Sequence, residues 1–171
     1  MIRVFIVDDH GVVRRGLKQV LSEAADLTVV GEAATANEAR RLLPVACCDV
    51  VMLDLSLPDQ PGLELLRQVK ADRPQLPVLI LTMHREDEYA IRALKAGAAG
   101  FLTKDAAPEE LLAAIRKVAR GGRYLTVGVA ERIAGHFASE PGQPLNGSPT
   151  ASRPCRRIPT PRDGERRLRR W

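Results

Sequence analysis

The chain has 171 residues, 45% of them hydrophobic, enough for one folded domain and an appendage. No apolar run approaches the roughly 18 residues needed to span a bilayer. The N-terminal Met1-Ile2-Arg3-Val4-Phe5-Ile6-Val7 meets an acidic pair at once, so neither a membrane span nor a signal peptide is expected. The net charge of +5 is uneven: residues 1–140 hold 18 basic and 19 acidic side chains, and residues 141–171 hold 8 and 2. The body therefore makes no case by charge for nucleic-acid binding.

In chain order, Ile2–Val7 reads as a first strand closed by Asp8-Asp9-His10. Gly11 to about Ala24 is expected to be helical, since Val12, Val13, Leu17, Val20 and Leu21 recur at three-to-four spacing. Leu27–Glu32 is a second strand, and Ala36 to about Val45 a helix capped by Thr35 or Asn37. Asp49 to Leu53 is a third strand; its unbroken apolar run suits a position buried on both faces of a parallel sheet. Asp54 closes it, and a Pro- and Gly-bearing loop follows. Gly62 to about Asp72 is a helix that Pro74 prevents from continuing. Pro77–Thr82 is a fourth strand, and Glu86–Ala96 a helix stopped by Gly97. Gly100–Thr103 is a short fifth strand ending at Lys104. Pro108 opens a helix to about Arg120, with Glu109 and Glu110 at its positive end. Val127 to about Phe137 has a helical apolar face. Strict alternation of strands and helices implies an α/β fold: a doubly wound, three-layer, five-stranded parallel sheet of flavodoxin-like type.

Four strands end in polar groups: Asp8-Asp9, Asp54, Thr82 and Lys104. A parallel sheet brings such ends to one edge, where open α/β sheets place their ligands. Taken singly, the aspartates read equally well as caps or turn residues, Thr82 as a strand former and Lys104 as a solvated loop residue. Taken together they are a site. Three carboxylates at close quarters require protonation or a cation. A hard divalent ion such as Mg²⁺, bound through few carboxylates and keeping waters, resolves the repulsion. Lys104 supplies a point charge for phosphate and Thr82 a hydrogen bond. The set suits an aspartate that accepts a phosphoryl group. Cys47, Cys48 and Cys155 show neither a metal spacing nor a disulfide framework, so a reduced, cytoplasmic setting is expected.

Residues 1 to about 120 resemble a two-component response-regulator receiver domain. The resemblance rests on Asp8-Asp9, Asp54, Leu57-Pro58, Gly62, Thr82, Lys95-Ala96-Gly97-Ala98 and Lys104. It implies Asp54 as phosphoacceptor for a sensor histidine kinase. It implies Mg²⁺ held by Asp9, Asp54 and the Ser56 backbone carbonyl, with Asp8 partly through water. It also implies Thr82 and Lys104 as phosphate-sensing residues and Phe101 as an aromatic switch, although Phe101 reads as a core residue too. Val7-Asp8-Asp9-His10 and Gly100-Phe101-Leu102-Thr103-Lys104-Asp105-Ala106 resemble the NarL/FixJ (LuxR-type) branch. Two departures stand out: Asp105 replaces the proline common after the lysine, and Phe101 replaces a common tyrosine.

The resemblance implies a receiver over 1–120, a linker with an amphipathic helix over 121–140, and a phosphorylation-linked homodimer. Regulators of this branch carry a DNA-binding helix-turn-helix after the linker. Residues 141–171 have six prolines, eight arginines and no apolar periodicity, so a disordered basic tail is expected, as from truncation or a frame shift. Sequence-specific DNA binding is not expected of this chain. Two other readings are a phosphorylation-independent interaction module and a phosphatase resembling haloacid dehalogenases. The latter needs Asp-x-Asp, and Asp54-Leu55-Ser56 lacks the second acid.

Overall fold

A computed structural model describes residues 1–83 and 87–125. The elements are β1 (Ile2–Val7), α1 (Gly11–Ser22), β2 (Leu27–Ala33), α2 (Ala36–Leu42), β3 (Val50–Leu53), α3 (Gly62–Asp72), β4 (Val78–Thr82), α4 (Asp87–Lys95), β5 (Gly100–Thr103), α5 (Pro108–Ala119) and β6 (Tyr124–Leu125). All paired strands are parallel, in the order β2-β1-β3-β4-β5-β6. This is the expected doubly wound α/β sheet. The expected helix Val127–Phe137 and the tail 141–171 lie outside the described residues.

The period-two alternation of the strands divides the core into two layers. Phe5, Val7, Val51, Leu53, Val78, Ile80 and Phe101 face α2, α3 and α4, meeting Ala36, Leu65, Leu66, Val69, Ala90 and Ala93. Val4, Ile6, Val50, Met52, Leu79, Leu81 and Leu102 face α1 and α5, meeting Leu21, Leu111, Ala114, Ile115 and Val118. Every residue of β3 is buried, as its apolar run requires. Each fully buried large aliphatic contributes about 1.5–3 kcal/mol.

Three differences from the sequence expectation have physical causes. Among the described residues the sheet has six strands rather than five. Gly121, at φ +83°, ends the turn after α5, and Tyr124 N–H then donates to Ala99 O at 3.0 Å, starting β6 on the open edge of β5. Helix α2 ends at Leu42 rather than near Val45, because Pro44 has no N–H to continue the ladder. Helix α1 ends at Ser22, and a turn closed by Leu27 N–H donating to Ala24 O at 3.1 Å takes the following residues.

The strand order reverses between β1 and β3. Helix α1 leaves β1 on one face and α3 leaves β3 on the other, which opens a crevice at the carboxyl ends of these strands. Gly62 keeps that crevice tight. A Cβ there would lie 2.3 Å from Asp54 O and 2.7 Å from Leu55 Cα, distances that backbone cannot yield. Its N–H donates to Leu55 O at 2.9 Å, folding the 55–61 loop back on the strand end.

Candidate functional site

The β1 ladder extends past its last strand residue. Asp8 N–H donates to Ala33 O at 3.1 Å, and Asp54 N–H donates to Val7 O at 2.8 Å. These bonds put both carboxylates at the crevice, 1% and 2% exposed. Lys104 N–H donates to Thr82 O at 2.8 Å, so β4 and β5 deliver Thr82 and Lys104 side by side at the same edge. Thr82 is fully buried.

The Lys104 side chain, 3% exposed, reaches across the edge. Its Nζ lies 2.7 Å from Asp54 Oδ2 and 2.7 Å from Asp8 Oδ2. Burial alone would depress this ammonium, but the hydrogen bonds and charges of Asp54 and Asp8 outweigh it and hold the group above the ordinary lysine value. The second oxygens are also engaged: Asp54 Oδ1 accepts from Ser56 N–H at 3.1 Å and Asp8 Oδ1 from His10 N–H at 2.8 Å. Asp9 is more open, with His10 Nδ1 2.6 Å from its Oδ1.

The one buried ammonium bridges two of the three carboxylates gathered here, leaving an excess of negative charge. Asp8, Asp9, His10 and Asp54 each offer a ligand atom, all within 4.8 Å of one another. Such a donor set fits a divalent cation. The sequence reading found the three aspartates but not His10, whose only signal is its adjacency to the acidic pair.

Phe101 is 2% exposed and packs in the layer of α2, α3 and α4. Ser56 sits in the loop between Asp54 and Gly62, and Asp59 tethers that loop. Its carboxylate accepts from Ala36 N–H at 2.9 Å and Asn37 N–H at 2.8 Å, capping α2 from another element. Burial pushes the Asp59 carboxyl up, but the Asn37 and Ala36 N–H groups together with neighbouring backbone outweigh it and hold the group below its ordinary range. Gln60 Oε1 accepts from Arg40 Nη2 and adds a second tether. Of the two expected caps, Thr35 and Asn37, it is Thr35 that accepts from Glu38 N–H, while Glu38 accepts from Ala34 N–H. Thr35 and Glu38 are visible as a local pattern, but no local pattern reveals Asp59.

No helix among the described residues is long and apolar enough to cross a membrane. Residues 4–116 match the family described as the response regulator receiver domain. The response regulator UvrY of Escherichia coli (strain K12) is 38% identical over 134 residues, 78% of this chain and 62% of that protein. DevR/DosR of Mycobacterium tuberculosis, a DNA-binding transcriptional activator, is 42% identical over 149 residues, 86% of this chain and 69% of that protein. A LuxR-family two-component response regulator from Aurantimonas sp. SI85-9A1 superposes with TM-score 0.74 at 37% identity, covering 80% of this chain and 97% of that one. The chain thus spans about three fifths of the length of UvrY. With a receiver-family match over most of its folded body and relatives of the LuxR type, the chain belongs to the response regulator receiver domain family, in its NarL/FixJ branch.

Proposed function

We propose that Asp54 accepts a phosphoryl group from a sensor histidine kinase and that the receiver then changes its packing and self-association. The observation that carries this reading is the Lys104 ammonium bridging Asp54 and Asp8 at a carboxylate-rich sheet edge. A carboxylate oxygen of Asp54 attacks phosphorus as the donor's N–P bond breaks, and the donor imidazole leaves. Lys104 follows the charge from the carboxylate to a phosphoryl oxygen, and Thr82 donates its hydroxyl to another. Burial of Asp54 limits attack by water on the product. Asp8, Asp9, Asp54 and the Ser56 carbonyl would hold Mg²⁺, a hard ion that suits these oxygens and neutralises charge on the transferring group when bound.

Phe101 lies two residues before Thr103, whose strand partner is Thr82. A pull of Thr82 and Lys104 toward new phosphoryl oxygens shifts β5, and the Phe101 ring moves into vacated space. The result is a population shift between two packings that alters the face of α4, β5 and α5 and favours a symmetric homodimer. Residues 1–120 are the receiver and 121–140 the link to an output. The output in relatives of the DevR/DosR kind is DNA-directed. In this chain the arginines of 141–171 would meet DNA only through phosphate contacts, which are salt-sensitive and carry no base information.

The decisive experiment is incubation with a small acyl-phosphate donor and Mg²⁺, read by intact mass. One phosphoryl adduct is expected on the wild type and none on Asp54→Asn. A stable adduct formed equally well on the variant places the acceptor elsewhere.

A further inference from the structure

The Asp8 carbonyl belongs to the peptide that joins the two acidic residues. The β1–β2 register ends at Val7 opposite Ala33, so beyond it this carbonyl is met not by a strand but by a side chain. Arg14 Nη1 donates to it at 2.5 Å from the first turns of α1. The guanidinium is itself held. Its Nε lies 3.4 Å from Glu32 Oε2 on β2, and Lys18 Nζ lies 3.0 Å from Glu32 Oε1. The Arg14 side chain is only 19% exposed, whereas those of Glu32 and Lys18 are 42% and 40% exposed, so the chain Lys18–Glu32–Arg14–Asp8 runs from the surface of α1 and β2 inward to the acidic pair.

We propose that Arg14, oriented by Glu32, is a positioning residue that fixes the peptide plane between Asp8 and Asp9 and thereby the approach of their carboxylates to a divalent cation. Asp8 N–H is already pinned to Ala33 O. That N–H lies in the peptide before the Asp8 Cα and the carbonyl in the peptide after it, so with both held the backbone on either side of Asp8 is fixed, and with it the direction in which the Asp8 side chain and the Asp8–Asp9 peptide leave. An extended planar cation is needed, because Nη1 must donate to the carbonyl while the other end of the guanidinium stays within ion-pair distance of Glu32. This inference rests on the metal reading above.

Charge and position predict opposite signs. Arg14 acting merely as a nearby cation repels a divalent ion, so its removal should tighten binding. Acting as a positioning residue, its removal should loosen binding, as loss of outer-shell partners of metal ligands does.

The test is calorimetric titration of the full chain with Mg²⁺ alone, for the wild type, Arg14→Gln and Arg14→Lys. Arg14→Gln should weaken binding about tenfold. Arg14→Lys keeps the charge and should also weaken it, since one ammonium cannot serve both partners. Unchanged or tighter binding in Arg14→Gln, or full wild-type affinity in Arg14→Lys, overturns the proposal. Amide spectra outside residues 8–14 check the fold. If Arg14→Gln does not fold, Glu32→Gln releases the guanidinium without removing it, and undiminished affinity there overturns the proposal too. Mass analysis of Asp54 on the same samples separates the two readings. A wild type that binds Mg²⁺ in an Arg14-dependent way but takes no phosphoryl group sinks the function and leaves this inference. A wild type that binds no Mg²⁺ sinks this inference.

Discussion

Replacing Lys104 by Met tests the charge balance of the site directly. The side chains of Asp8 and Asp54 are each 2% exposed and share one ammonium at 2.7 Å. Met fills similar volume but leaves both carboxylates buried without a cation. Removing one partner of a buried charge cluster typically costs 3–5 kcal/mol. We expect about 3 kcal/mol at pH 7 without divalent ions, or a drop of roughly 10 °C in Tm. The sign with pH follows from the raised lysine: its folded-state value exceeds 10.5, the ordinary one. Its contribution is therefore complete below the unfolded lysine value and is lost as pH rises through the folded one. The gap between wild type and Lys104→Met should shrink above the ordinary lysine range. Urea unfolding followed by circular dichroism across neutral and alkaline pH measures it. The variant Asp8→Asn/Asp54→Asn/Lys104→Met should recover most of the loss, because no buried charge is then left unpaired. A Lys104→Met protein as stable as wild type at pH 7, or one whose deficit does not change on raising the pH, would refute the reasoning.

Gly62→Ala should destabilise the chain by about 1–3 kcal/mol by overpacking and slow phosphorylation of Asp54, since the new Cβ falls 2.3 Å from Asp54 O; denaturant midpoints and adduct formation rates check both. Arg116 Nε and Nη2 grip Asp26 at 2.8 and 2.7 Å and pull its carboxyl from 3.8 down to about 2. That depressed value means the link is complete above the unfolded range and is lost as pH falls through about 2. A carboxyl NMR titration should show Asp26 returning toward its ordinary value in Arg116→Gln. His10 adds an imidazole to an oxygen site, so Mn²⁺ should bind more tightly than Mg²⁺, and His10→Ala should narrow that preference; equal preference in the two proteins removes His10 from the ligand set.

What was legible in the residues themselves was whatever depends on period and punctuation. The apolar runs Val50–Leu53 and Val78–Thr82 could be read as buried parallel strands, and their polar ends as one edge, because alternation of strand and helix leaves few topologies. The placing of Asp8, Asp9, Asp54, Thr82 and Lys104 at that edge therefore follows from the sequence. Helix ends were read less well: the apolar face of α2 runs past Leu42, and only the missing N–H of Pro44 stops it. Strand β6 was invisible because Tyr124–Leu125 is too short to carry a period and forms only where β5 offers an open edge.

The tertiary structure alone decided how the site residues engage one another. Nothing in the order of residues says that Lys104 bridges two carboxylates rather than one, since Asp8, Asp54 and Lys104 each follow the end of a different strand. Nor does it say that Arg14 meets the Asp8 carbonyl, that Glu32 on β2 holds Arg14, or that Asp59 caps a helix 22 or more residues earlier in the chain. These contacts join segments far apart in sequence, and hydrogen bonds that span elements have no local period. Local patterning could name the chemistry; only the packing of β1, β3 and β5 against their helices sets the distances at which it operates.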